Sequence, residues 1–420
     1  MWAIILAVIA TAVVMTIARN LIPASRGVNY ELAEEDRVGS PQFARDMGNL
    51  LGPPLVAGNR LTTLRNGDAI FPAMLEAIRS AQKSITFETF IYWSGEIGEE
   101  FADALAERSR AGVHVHVLLD WLGAKKMEER LLDHIVKAGA DVHRYHRVKW
   151  HTLDKLNNRT HRKLLVVDGH TGFTGGVGIA DPWQGDAQDE DHWRDTHYRL
   201  EGPAVAHLQA AFMDNWLQTS GEVLSGELYF PKLESLGECC AQVFKSSARE
   251  GSESVRLMFI MSFAAARDSI LIESAYFVPD DRTIAELIAA RKRGVTVEII
   301  VPGPIIDTQV VRAASRSRWG PLLEAGVWIG EYQPTMLHCK LMIVDDMWVS
   351  VGSTNLDGRS LRLNDEANLN VLDKDFAREQ REMFEADRAQ SRQVTLAEWQ
   401  RRPVLVKVRE TMAGWFRSQM

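Results

Sequence analysis

Cysteine is scarce in this sequence, with three residues in 420. Cys239 and Cys240 are adjacent and Cys339 stands apart, so neither a disulfide framework nor a zinc-ligand spacing is available. That usage fits a reducing compartment. Positive charge is also in deficit. The 48 Lys and Arg stand against 56 Asp and Glu, a formal net charge of -8, whereas proteins that live on nucleic-acid phosphates usually show a basic footprint. A local basic cleft inside an acidic total is still compatible with these numbers. No cluster of carboxylates and histidines has the spacing of a two-metal site. Long apolar runs are missing too, with one exception. Residues 1–18 are interrupted only by Thr11 and Thr16, and about 18 apolar residues is the lower limit for a helix that spans a bilayer. The run has no basic residues before it and no clean A-x-A site after it, which sets an anchor above a cleaved leader. Arg19 and Arg26 follow it, placing the body on the cytoplasmic side by the positive-inside tendency.

What the chain does have is one short constellation, twice. His161-Arg-Lys163-Leu-Leu-Val-Val-Asp168 is followed by Gly175-Gly176, and His338-Cys-Lys340-Leu-Met-Ile-Val-Asp345 by Gly352-Ser353. Both have the form H-x-K-x4-D-x6-G-[GS]. With average residue usage, one match is expected about once per hundred thousand start positions. In each copy the apolar run reads as a buried strand, and His and Lys, two apart, share a face.

The surroundings repeat as well. Ser84-Ile-Thr-Phe-Glu88-Thr-Phe-Ile-Tyr92 and Ile270-Leu-Ile-Glu273-Ser-Ala-Tyr-Phe277 are strands with an acid at the same place. Each is followed by a helical pattern, a Gly stop and another strand. Residues 193–200, around Asp195, are echoed by residues 363–371, around Glu366. This is an internal duplication with a period of roughly 180 residues, two packed copies of one domain rather than a solenoid. Strands alternating with helices through short connections predict α/β units. The expected division is an anchor over 1–20, a linker over 21–58, a first lobe over 59–222, a second over 236–390 and a basic amphipathic C-terminal helix over 391–420. Residues 181–191, acidic and rich in Gln, read as a mobile surface loop. In the tail, Trp399, Trp415 and Phe416 lie among Arg401, Arg402, Lys407, Arg409 and Arg417. It reads either as a helix packed on the body or as one lying on anionic lipid.

Neither copy alone holds two opposed imidazoles, but the pair does. One neutral His can attack phosphorus while a protonated one gives its proton to the leaving alcohol. Lys163 and Lys340 share a face with the histidines and suit the non-bridging phosphate oxygens. Ser353 and Asn355 can donate hydrogen bonds to the same oxygens. The lysines supply the positive charge, so neither a metal nor a cofactor is expected.

The paired motifs, with Phe87-Glu-Thr-Phe-Ile91, Trp193-Arg-Asp-Thr-His197, Arg199-Leu-Glu-Gly-Pro203 and Gly352-Ser-Thr-Asn-Leu-Asp357, resemble the phospholipase D superfamily and, within it, bacterial cardiolipin synthases. The resemblance runs from about residue 60 to 387. It implies an α/β fold of two tandem, pseudo-twofold-related phospholipase D-like α-β-α lobes with the active site between them, and here an N-terminal membrane helix in addition. It implies phosphatidyl transfer through a phosphohistidine, with His161 as nucleophile, His338 as acid and then base, and no cofactor. The expected partners are phosphatidylglycerol and other anionic phospholipids at a bacterial inner membrane, with no nucleic acid. Asp168 and Asp345 complete the catalytic motif, though their place behind the histidines suits a structural part. Asp195 and Glu366 are the candidates for orienting the imidazoles, with Glu88 and Glu273 further out.

One departure stands out. The family's first motif usually continues Gly-Gly-x-Asn, whereas this chain has Gly175-Gly176-Val177-Gly178. Loss of one hydrogen bond to a charged group costs about 1.5–3 kcal/mol unless replaced. Three other readings stay open at this point. A phospholipase D using water or a small alcohol has the same residues. A nucleic-acid phosphodiesterase is disfavoured by charge. A catalytically impaired membrane scaffold has only Gly178 to recommend it.

Overall fold

The computed structural model describes residues 36–146, 158–247 and 253–415, together with Trp2 and Thr11. The apolar run expected to form the anchor lies outside the described residues. Among the described residues no helix is long and apolar enough to cross a membrane.

Sixteen strands form the sheet. In the first half these are β1 (Val56–Arg65), β2 (Ser84–Thr89), β3 (His114–Asp120), β4 (Asp141–Tyr145), β5 (Arg159–Thr160), β6 (Leu164–Val167), β7 (Thr171–Gly175) and β8 (Thr196–Glu201). The second half holds β9 (Cys239–Ser246), β10 (Ser269–Ser274), β11 (Thr296–Pro302), β12 (Trp328–Tyr332), β13 (Lys340–Val344), β14 (Trp348–Gly352), β15 (Asn364–Leu372) and β16 (Ser391–Gln393). The order across the sheet is β16-β12-β11-β10-β13-β14-β15-β9-β1-β8-β7-β6-β2-β3-β4. β5 lies off this path and pairs with β15; read outward from the central antiparallel pair β1–β9, the two halves otherwise have the same strand sequence apart from the added edge strand β16, so the duplication is one of topology as well as of motif.

Burial explains the composition of the motif strands. Every residue of Leu164–Val167 and of Lys340–Val344 is buried, because helices cover both faces of the sheet. Strands in that position read as continuous apolar runs rather than alternating ones. Both motif strands end in a tight turn whose first residue, Asp168 (φ 54) or Asp345 (φ 51), is in the left-handed region, which Asp tolerates better than most side chains.

Two expected boundaries change. Residues 41–51 are not linker. Pro41–Leu51 is a helix, capped by Ser40 Oγ accepting from Phe43 N at 3.1 Å, with Phe43, Met47 and Leu51 packed into the core of the second lobe. The Phe43 ring meets Trp348 edge-on at 5.2 Å. Nor is the tail a single helix. It gives β16, paired antiparallel with β12, then the short helix Leu396–Gln400 and the helix Val404–Trp415. Trp399 is tied to the body, its Nε1 donating to Arg316 O at 2.7 Å.

Candidate active site

Each histidine sits just before the strand of its own motif, and the other half fixes its backbone. β5 pairs in parallel with the start of β15, and His161 N donates to Asp365 O at 2.8 Å. In the mirror arrangement Arg194 bridges Leu337, and His338 N donates to Arg194 O at 2.7 Å. The carboxylate next along then reaches the imidazole. His161 Nδ1 lies 3.0 and 3.1 Å from the two Glu366 oxygens, and His338 Nδ1 lies 2.7 Å from Asp195 Oδ2. Each imidazole is therefore oriented by an acid from the opposite half. Because both acids take Nδ1, both Nε2 atoms are left for chemistry, the arrangement of other nucleophile–base arrays.

The site is buried and strongly polarised. His161, Lys163, His338 and Lys340 are all under 9% exposed. Burial drives the His161 imidazole down to about 4, against the pull of Glu366, and the Lys163 and Lys340 charges push the same way. His338 is held below its ordinary value by burial and by Lys340, with Asp195 opposing. Burial also lowers Lys163 to about 7 and depresses Lys340. For Asp195 and Glu366 burial pushes up, but the imidazole and lysine charges outweigh it and hold both carboxyls below the usual range. Each lysine acts on the histidine of the other motif, so all four groups share one electrostatic site. Lys340 Nζ stands 3.2 Å from His338 Nδ1 and 3.3 Å from Nε2, and Lys163 Nζ donates to His161 O at 2.8 Å.

Aromatic side chains wall the site. The Phe90 ring meets His161 at 5.3 Å, while Trp183, Trp193 and Tyr276 meet His338 at 5.2, 5.5 and 6.4 Å. Within the surface loop expected over 181–191, Trp183 is the exception. It is 1% exposed, and its Nε1 donates to Asp195 Oδ2 at 2.9 Å. In the second half that duty falls to Ser353, whose Oγ donates to Glu366 Oε2 at 2.5 Å. Gly176, the counterpart of Ser353, has no room for a side chain, since a Cβ there would lie 2.2 Å from Asp195 Oδ1.

The Gly178 departure has a local cause. A Cβ at Gly178 would stand 2.8 Å from Ile91 Cβ and 3.3 Å from the Trp183 ring. Asn355, its counterpart, is buried, and its Oδ1 faces the backbone N of Tyr276 at 3.4 Å. The first half has filled the amide's place with apolar contact.

Asp168 and Asp345 do not belong with the catalytic groups. Asp168 accepts from the backbone N–H groups of Gln82, Lys83 and Ser84 at 2.7–3.2 Å. Asp345 does the same for Arg267, Asp268 and Ser269 at 2.8–3.0 Å. Each pins the start of the neighbouring strand, far down its own strand from the imidazole.

Glu88 and Glu273 are buried behind the site. Glu88 accepts from Thr160 Oγ1 at 2.5 Å and Asn215 Nδ2 at 2.7 Å, and burial lifts it to about 7 against the attraction of Arg162. Burial, with Asp387, also raises Glu273. Among the described residues Glu273, Cys339 and Asp387 form the one group that could offer three ligand atoms to a metal. A cation already bonds there, because Arg194 Nη2 lies 2.8 Å from Asp387. Arg162 and Arg194, together with Trp183, Phe90, Trp193 and Tyr276, carry no local signal of their placement, since their partners lie far along the chain.

Comparison with known proteins gives the family. The family model described as "Cardiolipin synthase, PLD-like domain" matches residues 74–216 and 259–388. Cardiolipin synthase A of Pseudomonas fluorescens is 35% identical over 355 residues, covering 84% of this chain and 74% of its own. Cardiolipin synthase 1 of Bacillus anthracis is 33% identical over 367 residues, 84% of this chain and 72% of its own. The crystal structure of phosphatidylserine synthase from Haemophilus influenzae superposes with a TM-score of 0.69 at 17% identity, over 90% of this chain and all of that one, which is a likeness of fold. Motif, duplicated topology and relatives converge: the chain belongs to the cardiolipin synthase family of phospholipase D-like proteins.

Proposed function

We propose that this protein is a cardiolipin synthase, a phosphatidyltransferase that joins two phosphatidylglycerol molecules and releases glycerol. His161 Nε2 attacks the phosphorus of the first lipid, the P–N bond forms, and the P–O bond to glycerol breaks. His338 gives its proton to the departing glycerol oxygen. It then takes the proton of the primary hydroxyl of the second phosphatidylglycerol, whose oxygen attacks phosphorus and frees His161. Lys163 and Lys340 hold the non-bridging oxygens as charge grows on them. Asp195 and Glu366 fix the ring orientation and stabilise the charged imidazole.

The observation that carries this reading is the crossed pair of His–carboxylate bonds, His161 to Glu366 and His338 to Asp195, with Lys340 beside the His338 ring and Lys163 bonded to the His161 carbonyl. His161, held to about 4, is neutral at pH 7 and fit to attack. At His338 the Asp195 carboxylate, 2.7 Å from Nδ1, works for the imidazolium against burial and Lys340. The aromatic wall of Phe90, Trp183, Trp193 and Tyr276 supports a lipid acceptor over bulk water. The apolar run of residues 1–18 and the Arg19 and Arg26 that follow it support a membrane anchor with the body at the cytoplasmic face of a bacterial inner membrane; a reporter fused at the C-terminus reads that topology.

Purified protein incubated with phosphatidylglycerol alone should yield cardiolipin and glycerol in equal amounts. Phosphatidic acid as the sole lipid product would contradict the synthase reading and make the protein a hydrolase.

A further inference from the structure

Among the described residues, the helix Val404–Trp415 has one face with nothing packed on it. At 100° per residue, Val404, Leu405, Val408, Met412 and Trp415 fall within about 100° of arc. They are 74%, 84%, 49%, 51% and 71% exposed. The opposite face is the docked one. Glu410, Ala413 and Gly414 are buried against the helix Gln309–Ser317, with Arg316 Nε donating to Glu410 at 3.0 Å and Arg402 bonding the same carboxylate. Gly414 allows the close approach, since a Cβ there would lie 3.0 Å from Ser317 Oγ. The helix is thus held rigidly by one side while its apolar stripe points outward. Lys407 and Arg409, both exposed, border the stripe on its two sides, and exposed Arg401 precedes it.

The element that this helix docks on leads on to the site. Val311, on the helix Gln309–Ser317, packs with Ala413 and Val278, and exposed Val310 lies beside it. That helix follows Asp307, which accepts from Tyr276 OH at 2.5 Å, and the Tyr276 ring faces His338.

We infer that this face is where the protein lies on an anionic phospholipid surface, with the apolar stripe at the acyl boundary and Lys407 and Arg409 at the headgroups. The inference rests on the lipid-substrate reading above and adds the place of contact. The charge argument selects the occupant. A body with net charge -8 is repelled by an anionic bilayer, so it approaches through a face that is locally basic and apolar, the composition of interfacial helices.

Hydrogen exchange on the full chain tests this without relying on turnover. The protein is compared in vesicles of phosphatidylcholine and in vesicles of equal parts phosphatidylcholine and phosphatidylglycerol. Amides of residues 404–415 should exchange about fivefold or more slowly in the anionic vesicles. The double variant Leu405→Glu, Val408→Glu should lose that slowing while protection of the sheet strands is unchanged, which shows the fold intact. Equal exchange in both lipids, or slowing that survives the double substitution, overturns the proposal. Slowing that follows protein concentration without lipid assigns the face to a second copy and overturns it too. A chain that docks in this way yet makes no cardiolipin would refute the synthase reading and leave the docking face standing.

Discussion

At the scale of single residues, the proposed chemistry turns on two carboxylates that bond the imidazoles. Asp195 and Glu366 hold Nδ1 of the opposite half's histidine, so replacing either by its amide keeps shape and removes charge. Asp195→Asn and Glu366→Gln should each lower kcat by roughly a thousandfold or more with little change in KM, read in the phosphatidylglycerol assay. A drop confined to KM would mean that the acids bind lipid instead. The pH profile follows from the same contacts. His161 titrates near 4 and His338 below 6.5. Activity needs the first neutral and the second protonated, so kcat/KM should peak on the acid side of 6.5. It falls at lower pH as His161 gains a proton and at higher pH as His338 loses one. A bound phosphodiester anion favours the imidazolium, so the descending limb of kcat should lie at higher pH than that of kcat/KM. Coincident limbs would contradict this electrostatic picture. Both histidines, both lysines and both orienting acids were visible in the sequence. Which acid serves which ring was not, because the parallel pairings Arg159–Asn364 and Arg194–Leu337 join residues far apart and leave no periodic trace.

At the scale of elements, the two copies of the motif look interchangeable in sequence but are built differently. The turn after β7 needs glycine because the Asp195 carboxylate and the Trp183 indole fill the space above it, whereas the turn after β14 uses a hydroxyl to reach Glu366. Gly176→Ser should displace Asp195 and cost at least about a hundredfold in kcat, while Ser353→Gly, losing one hydrogen bond to a charged group, should cost about tenfold to a hundredfold. If Gly176→Ser retained full activity, the packing around Asp195 would be looser than described. The strands themselves were legible: runs such as Leu-Leu-Val-Val and Leu-Met-Ile-Val leave little choice. The helix Pro41–Leu51 was legible in principle, with a Ser cap, Pro41 at its first position and Phe43, Met47 and Leu51 four apart. The surrounding glycines and prolines hid it. The tail misled in the opposite way. Its basic and aromatic composition suggested one helix, but Trp399 is spent on the body and only residues 404–415 present an apolar face.

At the scale of the whole molecule, duplication explains why the site lies between halves and why neither half is complete. It also shows where symmetry has been given up. In the first half a buried arginine follows the motif histidine: Arg162 donates to Glu366 O, Ser246 O and Asp214. In the second half that position is Cys339, and the cation comes instead from Arg194, beside Asp195, which bonds Asp387 of the helix Lys374–Ala389. Both arginines tie one lobe to the other. Arg194→Ala would leave the buried Asp387 carboxylate with only the longer ion pair to Arg65 at 3.6 Å, and a loss of about 3–5 kcal/mol is expected, seen as a lower urea midpoint. A change within 1 kcal/mol would show that the lobes do not depend on this bond. The duplication and its period were plain in the sequence; the exchange of charge was not, because it needs both halves superposed. The central claim is that His161 carries the phosphatidyl group while Glu366 of the other half holds its ring. Its most direct test is to quench the protein during turnover of radiolabelled phosphatidylglycerol and map the adduct. An acid-labile label on the peptide containing His161, absent in His161→Ala, is the predicted result. A label on the His338 peptide, or full turnover by His161→Ala, would contradict it.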